Sequence, residues 1–182
     1  SEGTGQGRGA TPRPATPMGC AGADVAGGFH GTVPIGRAPS DPRISYVGSQ
    51  HVWKSTNEGQ SWEKISPDLT RHDPKTMGPS GGPLTKDNTG VETYATVFSI
   101  APSAKDAAVI WSGSDDGYVQ VTRNGGTSWK NVTPKALGDF ARISLIEASP
   151  FRAGPAYVAA NRSQRDDFKP SGFRTDAFGE TW

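Results

Sequence analysis

The string STNEGQSW at residues 55–62 returns as TRNGGTSW at residues 122–129, with the same Asn, Gly, Ser and Trp at the same spacing. A chain that repeats itself at such an interval is built from stacked copies of one supersecondary unit, which removes most folds from consideration at once. Both copies read Ser/Thr-x-Asn-x-Gly-x-Ser-Trp, continue with two polar residues and close on Ile65-Ser66-Pro67 or Val132-Thr133-Pro134. A third, degenerate copy runs FRTDAFGETW to Trp182; it keeps Thr175, Gly179 and Trp182 but has Ala177 at the asparagine position and Asp176 one position early. Upstream of the three copies stand APSDPRISYVGS (38–49), APSAKDAAVIWSGS (101–114) and ASPFRAGPAYVAAN (148–161), each a turn-forming cluster followed by a β-rich run.

The residue types of the octet suit a hairpin turn. Asn57 and Asn124 can accept backbone N–H bonds within the turn and tolerate unusual dihedrals. Gly59 and Gly126 supply a positive φ, and the Ser55 or Thr122 hydroxyl adds a local bond. Trp62 and Trp129 then sit on the returning strand, where their rings bury between neighbouring sheets. Alternation predicts a strand around residues 97–101, with Val97, Ser99 and Ala101 on one face and Phe98 and Ile100 on the other. Further strands are predicted at 110–113, 118–122 and 127–132, with Asp115-Asp116-Gly117 and Asn124-Gly125-Gly126 as turns. Four antiparallel strands per repeat is the unit of a propeller blade, and the 24 glycines and 15 prolines fit many short strands joined by tight turns. The fold class expected is all-β, with blades of four antiparallel strands in an incomplete propeller.

The octet resembles the Asp-box, or BNR repeat, of sialidases, of family 74 glycoside hydrolases and of sortilin/VPS10-type propellers, with Asn57 and Asn124 where those families usually carry aspartate. Residues 29–182 are similar to a group of bacterial secreted propellers often labelled glycosyl hydrolases, through SWEKISPDLTR (61–71), LTKDNTGVETY (84–94), GSDDGYVQVTRNGGTSW (113–129), RISLIEASP (142–150) and RDDFKP (165–170). The resemblance implies that Ser55, Asn57, Gly59, Trp62, Thr122, Asn124, Gly126, Trp129, Thr175, Gly179 and Trp182 are structural and lie away from any active centre. It also implies a secreted or periplasmic location and blades near 29–70, 94–135 and 141–182. Propellers close with about four to eight blades. The expectation is therefore a fragment whose partners include the remaining blades, from a longer chain or an oligomer, and whose bare strand edges favour association. Residues 1–28, rich in Gly, Pro, Thr and Ala, read as linker or disordered segment.

Several function classes are excluded or unsupported. Nineteen Lys plus Arg against 18 Asp plus Glu leave a net charge of +1, too balanced for a nucleic-acid face. Cys20 is the single cysteine, so no disulfide or thiolate cluster exists, and His30, His51 and His72 lack metal-ligand spacing. No metal or cofactor is expected. No apolar run approaches a membrane span, and the N-terminus lacks a signal-peptide pattern. There is no G-x-S-x-G elbow, no phosphate-cradling loop and no sialidase arginine motif. Asn131-Val132-Thr133 and Asn161-Arg162-Ser163 are formal glycosylation sequons.

Chemistry, if present, falls in the polar clusters between repeats. Glycoside hydrolysis needs two carboxyls across the scissile bond, and Glu92, Asp115, Asp116, Glu147, Asp166 and Asp167 are the catalytic candidates. Asp87, Asn88, Tyr94, Arg142, Asn161, Arg162 and Arg165 are the candidates for holding a polysaccharide. The bland alternative is that Asp115-Asp116-Gly117 is only a turn, Asp166-Asp167 a solvated loop, and Arg142 and Glu147 partners of each other. Trp53, Trp111, Tyr94, Tyr118 and Phe168 could stack on sugar rings, with a core role favoured for Trp53 and Trp111. The function expected is polysaccharide binding or hydrolysis through a carboxylate pair; the alternative is a non-catalytic module that binds a peptide or protein ligand.

Overall fold

The computed structural model describes residues 32–78 and 94–182. The predicted segment 1–28 and the candidates Asp87, Asn88 and Glu92 lie outside the described residues. The described chain is all-β, in three antiparallel sheets of consecutive strands. The first holds β1 (Ile35–Ala38), β2 (Asp41–Gly48), β3 (Val52–Ser55) and β4 (Glu63–Lys64). The second holds β5 (Val97–Pro102), β6 (Ile110–Ser114), β7 (Val119–Thr122) and β8 (Lys130–Asn131). The third holds β9 (Arg142–Ala148), β10 (Ala156–Arg162) and β11 (Asp167–Thr175). These are propeller blades in an open arc. Short 3-10 turns at Pro74–Thr76, Lys135–Leu137 and Ser163–Arg165 are the helical elements among the described residues, and none is long enough to cross a membrane.

The octets set both the hairpins and the stacking. Gly59 N–H donates to Ser55 Oγ at 2.9 Å, and Gly126 N–H to Thr122 Oγ1 at 3.0 Å. Asn57 Oδ1 accepts from Ser61 N–H and Asn124 Oδ1 from Ser128 N–H, both at 2.9 Å. This curl shortens the strand predicted at 127–132 to Lys130–Asn131, because Thr127 and Ser128 are used within the turn. The degenerate third copy keeps the hydroxyl half of the device, Gly179 N–H donating to Thr175 Oγ1 at 3.0 Å, and lacks the amide half because Ala177 has no side-chain acceptor.

Sheets pack face to face. Between the first and second lie Ala38, Tyr46, Val52, Leu69, Val97 and Ile110, with Trp129 against them. Between the second and third, Trp111, Ile143, Ile146 and Val158 are buried, and Trp182 packs on Trp111 at 6.3 Å between ring centroids. The second sheet is covered on both faces, so β6 is buried along its whole length. In β10 Ala156, Val158 and Ala160 point in while Tyr157 and Ala159 point out, the period-2 signature of a half-covered strand. The octet tryptophans also stitch the sheets together. Trp129 Nε1–H donates to Ile65 O at 3.0 Å, and Trp182 Nε1–H to Val132 O at 2.6 Å, in each case the carbonyl three residues beyond the preceding octet's tryptophan.

Up-and-down topology gives the arc two ends. The β1–β2, β5–β6 and β9–β10 turns share one end with the octets. The β2–β3, β6–β7 and β10–β11 turns share the other with the segments that pass from sheet to sheet. The candidate site lies at this second end.

Candidate functional site

Asp115 and Asp116, in the turn between β6 and β7, are buried at 2% and 1% exposure. Asp115 Oδ1 accepts from the N–H groups of Ala95 (3.1 Å) and Thr96 (3.0 Å), and its Oδ2 accepts from Thr96 Oγ1 at 2.9 Å. Asp116 Oδ1 accepts from Ser114 Oγ at 2.6 Å, and its Oδ2 from Arg71 N–H at 2.8 Å and more weakly from His72 N–H at 3.4 Å. Burial pushes the Asp115 carboxyl up to about 6, against the pull of its Thr96 donor, and the neighbouring Asp116 charge adds to the rise. Asp116 is raised too, again chiefly by burial, with its hydrogen bonds opposing the shift.

The two carboxylates clamp strained backbone. Ala95 has φ +79° and His72 φ +49°, left-handed positions that cost a non-glycine residue about 1–3 kcal/mol. Each lies where one of the aspartates receives its backbone donors. Phe140 (φ +56°) and Asp166 (φ +56°) are two more such residues at this end. The Asp-Asp-Gly turn is thus more than a turn: its side chains face inward and fix the segments entering and leaving neighbouring sheets.

Those segments carry an aromatic and guanidinium cluster. The Arg71 guanidinium lies 4.6 Å from the Tyr118 ring centroid and 5.4 Å from that of Phe140, and Arg71 Nη2 pairs with Asp139 Oδ1 at 2.8 Å. Tyr94 packs on Phe140 at 5.6 Å, and the Arg165 guanidinium sits 5.6 Å from the same ring. Arg142 stacks on Phe98 at 5.0 Å. Arg162 pairs with Asp167 at 3.3 Å and lies beside Gly138, where an added Cβ would come within 3.3 Å of its guanidinium carbon. Burial, reinforced by the Asp115 charge, raises the Tyr94 hydroxyl, so it remains a proton donor at neutral pH.

The structure therefore brings Asp115, Asp116, Tyr94, Arg142, Arg162, Arg165, Asp166 and Asp167 to one end. Asp166 is exposed on the short turn after β10, and Asp167 Oδ1 accepts from Lys169 N–H at 3.2 Å. Asn161 is taken up locally, donating to Ser144 Oγ at 2.7 Å and accepting from Ser163 Oγ at 2.9 Å. Glu147 stands apart. Five residues of extended strand separate it from Arg142, roughly 17 Å, so the two do not pair. It lines instead a cavity of about 320 Å³ with Phe151, Tyr157 and Arg174 at the octet end. Trp111 is fully buried and offers no ring to a ligand, Trp53 is half-buried with its indole N–H on Ser49 Oγ at 2.9 Å, and Phe168 is 78% exposed. Sequence reasoning missed Arg71 and Phe140 as site residues. Arg71 sat in a matched phrase with no signal of its own, and nothing in the sequence marks Phe140 as left-handed.

No family model matches the chain, and no curated protein matches it. Solved structures do. An ancestral GH74 enzyme aligns with 92% of this chain and 19% of its own, at 19% identity and a TM-score of 0.56. YCF48 bound to D1 peptide aligns with 83% of this chain and 40% of its own, at 18% identity and a TM-score of 0.50. A chain of the COPII outer coat vertex on membranes aligns with 79% of this chain and 34% of its own, at 12% identity and a TM-score of 0.50. At these identities the likeness shows the fold, and the chain spans between about a fifth and two fifths of the length of each of these proteins.

Proposed function

We propose that the end of the arc bearing Tyr94, Tyr118, Phe140, Arg71, Arg142 and Arg165 is a recognition face that binds a peptide segment carrying carboxylates, without cleaving it. One observation carries this reading: the two most central carboxylates, Asp115 and Asp116, spend their oxygens on backbone and hydroxyl donors. A general acid or nucleophile needs an oxygen free to meet the scissile bond. What the face presents instead is flat ring surface and guanidinium edges. Arg165 is exposed and has no ion pair among the described residues. Guanidinium on an aromatic ring is held in a fixed plane, which suits it to a carboxylate. The peptide-bound YCF48 structure offers a precedent for a propeller in this role. A secreted or periplasmic location accompanies the proposal on resemblance alone.

Titration calorimetry of the protein with acidic peptides tests it. Arg165→Ala should weaken binding about tenfold or more while circular dichroism stays unchanged, and 0.5 M salt should weaken it further. Unchanged affinity in Arg165→Ala and in Arg71→Lys would refute the assignment. A second reading, polysaccharide hydrolysis, is favoured by one observation: the Asp115 carboxyl, pushed up to about 6, lies in the range of a general acid.

A further inference from the structure

Two guanidinium groups share the Phe140 ring. Arg71 comes from the segment that leads out of the first sheet, its Cζ 5.4 Å from the ring centroid. Arg165 comes from the turn between β10 and β11, at 5.6 Å from the same centroid. One short ligand therefore reaches both. The two differ in one respect. Arg71 Nη2 already holds a carboxylate, Asp139 Oδ1 at 2.8 Å, whereas Arg165 meets none among the described residues.

The backbone around Asp139 is sharply bent. Its neighbours Gly138 and Phe140 both have positive φ, +77° and +56°. Within the ion pair Asp139 is the outward member, with its side chain 73% exposed against 21% for Arg71. A carboxyl so open stays hydrated, and the pair contributes little to folding. Its effect falls on the guanidinium instead. The faces of Arg71 are stacked on Tyr118 at 4.6 Å and on Phe140, and its Nε is buried with no acceptor. A carboxylate grips a guanidinium edge-on through Nη2 and one of the other two nitrogens. A carboxylate resting on Nη2 thus competes with any other that approaches this group.

We infer that Asp139 is a specificity-determining residue of the recognition face, an internal carboxylate that fills the Arg71 seat and leaves Arg165 as the seat open to a ligand. The inference rests on the reading of this end as a surface for acidic peptides. A peptide with one carboxylate takes Arg165 and leaves the Arg71–Asp139 pair intact. A second carboxylate reaches Arg71 only by displacing Asp139, and exchanging one carboxylate for another gains little. Alternate side chains of an extended peptide share one face, about 7 Å apart, so two glutamates separated by one residue match the pair of seats. Asp139 thereby keeps the face from favouring such doubly acidic segments.

Titration calorimetry with two peptides that differ at one position, with cores Glu-Ser-Glu and Glu-Ser-Gln, tests this. The unmodified protein should bind the two within about twofold of each other. Asp139→Asn should bind the two-glutamate peptide about fivefold more tightly, the scale of one exposed ion pair. Its affinity for the one-glutamate peptide should stay within about twofold of the original. Added to Arg71→Gln, the same substitution should change neither affinity, because the seat it frees is gone. An equal gain for both peptides, or a gain that persists in Arg71→Gln, would reflect a general loss of negative charge and overturn the inference. Binding that Arg165→Ala weakens but Asp139→Asn leaves unchanged would overturn the role of Asp139 alone. No binding of either peptide, by the unmodified protein or by Asp139→Asn, would overturn the recognition face as well.

Discussion

Replacing Gly126 by alanine isolates the contact between successive octets. The position has φ +104°, and an added Cβ would lie 2.5 Å from Ile65 O and 2.8 Å from Ile65 Cβ. Forcing a β-carbon into the left-handed region costs about 1–2 kcal/mol. Pushing apart two packed sheets costs about 1–3 kcal/mol more. The displaced atom is also the carbonyl that accepts from Trp129 Nε1, so part of a hydrogen bond worth about 1 kcal/mol goes with it. The sum is about 2–6 kcal/mol, a large fraction of an ordinary domain's stability. Gly125 is the control: it too has a positive φ, +70°, but a Cβ there meets nothing within 4 Å. Gly125→Ala should therefore cost only the backbone strain, about 1–2 kcal/mol. Urea unfolding followed by tryptophan fluorescence measures both. Equal losses from the two substitutions, within about 0.5 kcal/mol, would refute the view that octet glycines seat one sheet on the next.

Other outcomes follow from the same contacts. Asp115 has its folded pKa raised from 3.8 to about 6, so the native form holds the proton more tightly than the unfolded one, and stability falls as pH rises through about 4 to 6. The fall is on the order of 3 kcal/mol, and Asp115→Asn should flatten most of it in denaturation midpoints taken across that range. Trp129→Phe should destabilise by about 1–2 kcal/mol beyond the lost ring area, because Ile65 O loses its donor, as calorimetric melting would show. Thr122→Val, isosteric and fully buried, should cost about 2 kcal/mol in the same assay by stranding the Gly126 N–H.

The octets made the fold legible in the sequence, because their turn residues and terminal tryptophans each have one structural use. Asn57, Gly59 and Trp62 announce a hairpin that must be stacked, and the alternation of Val97, Ser99 and Ala101 announces the strand it is stacked on. The strand at 130–131 is shorter than alternation suggested, since reciprocal hydrogen bonds between Asn124 and Ser128, Nδ2–H to Oγ and N–H to Oδ1, consume the residues before it. The site was legible only in part. Asp115 and Asp116 stood out as charges, but whether a carboxylate in a turn faces solvent or backbone depends on which distant segment passes beneath it. Here those segments are 71–72 and 95–96, far away in sequence. Arg71 and Phe140 were invisible for the same reason: their meeting over Tyr118 is set by how two sheet-to-sheet segments cross. Conversely, Glu147 looked like a neighbour of Arg142 in sequence, yet an extended strand carries them to opposite ends.

Sugar release by the purified protein, compared with Asp115→Asn and Asp116→Asn, tests most directly whether this end of the arc recognises or cleaves. On xyloglucan and a broad panel of other polysaccharides at pH 4–7, no release above background is expected from any of the three proteins. Turnover by the unmodified protein that Asp115→Asn abolishes, with the fold intact, would contradict it and make the buried carboxyl a catalytic acid.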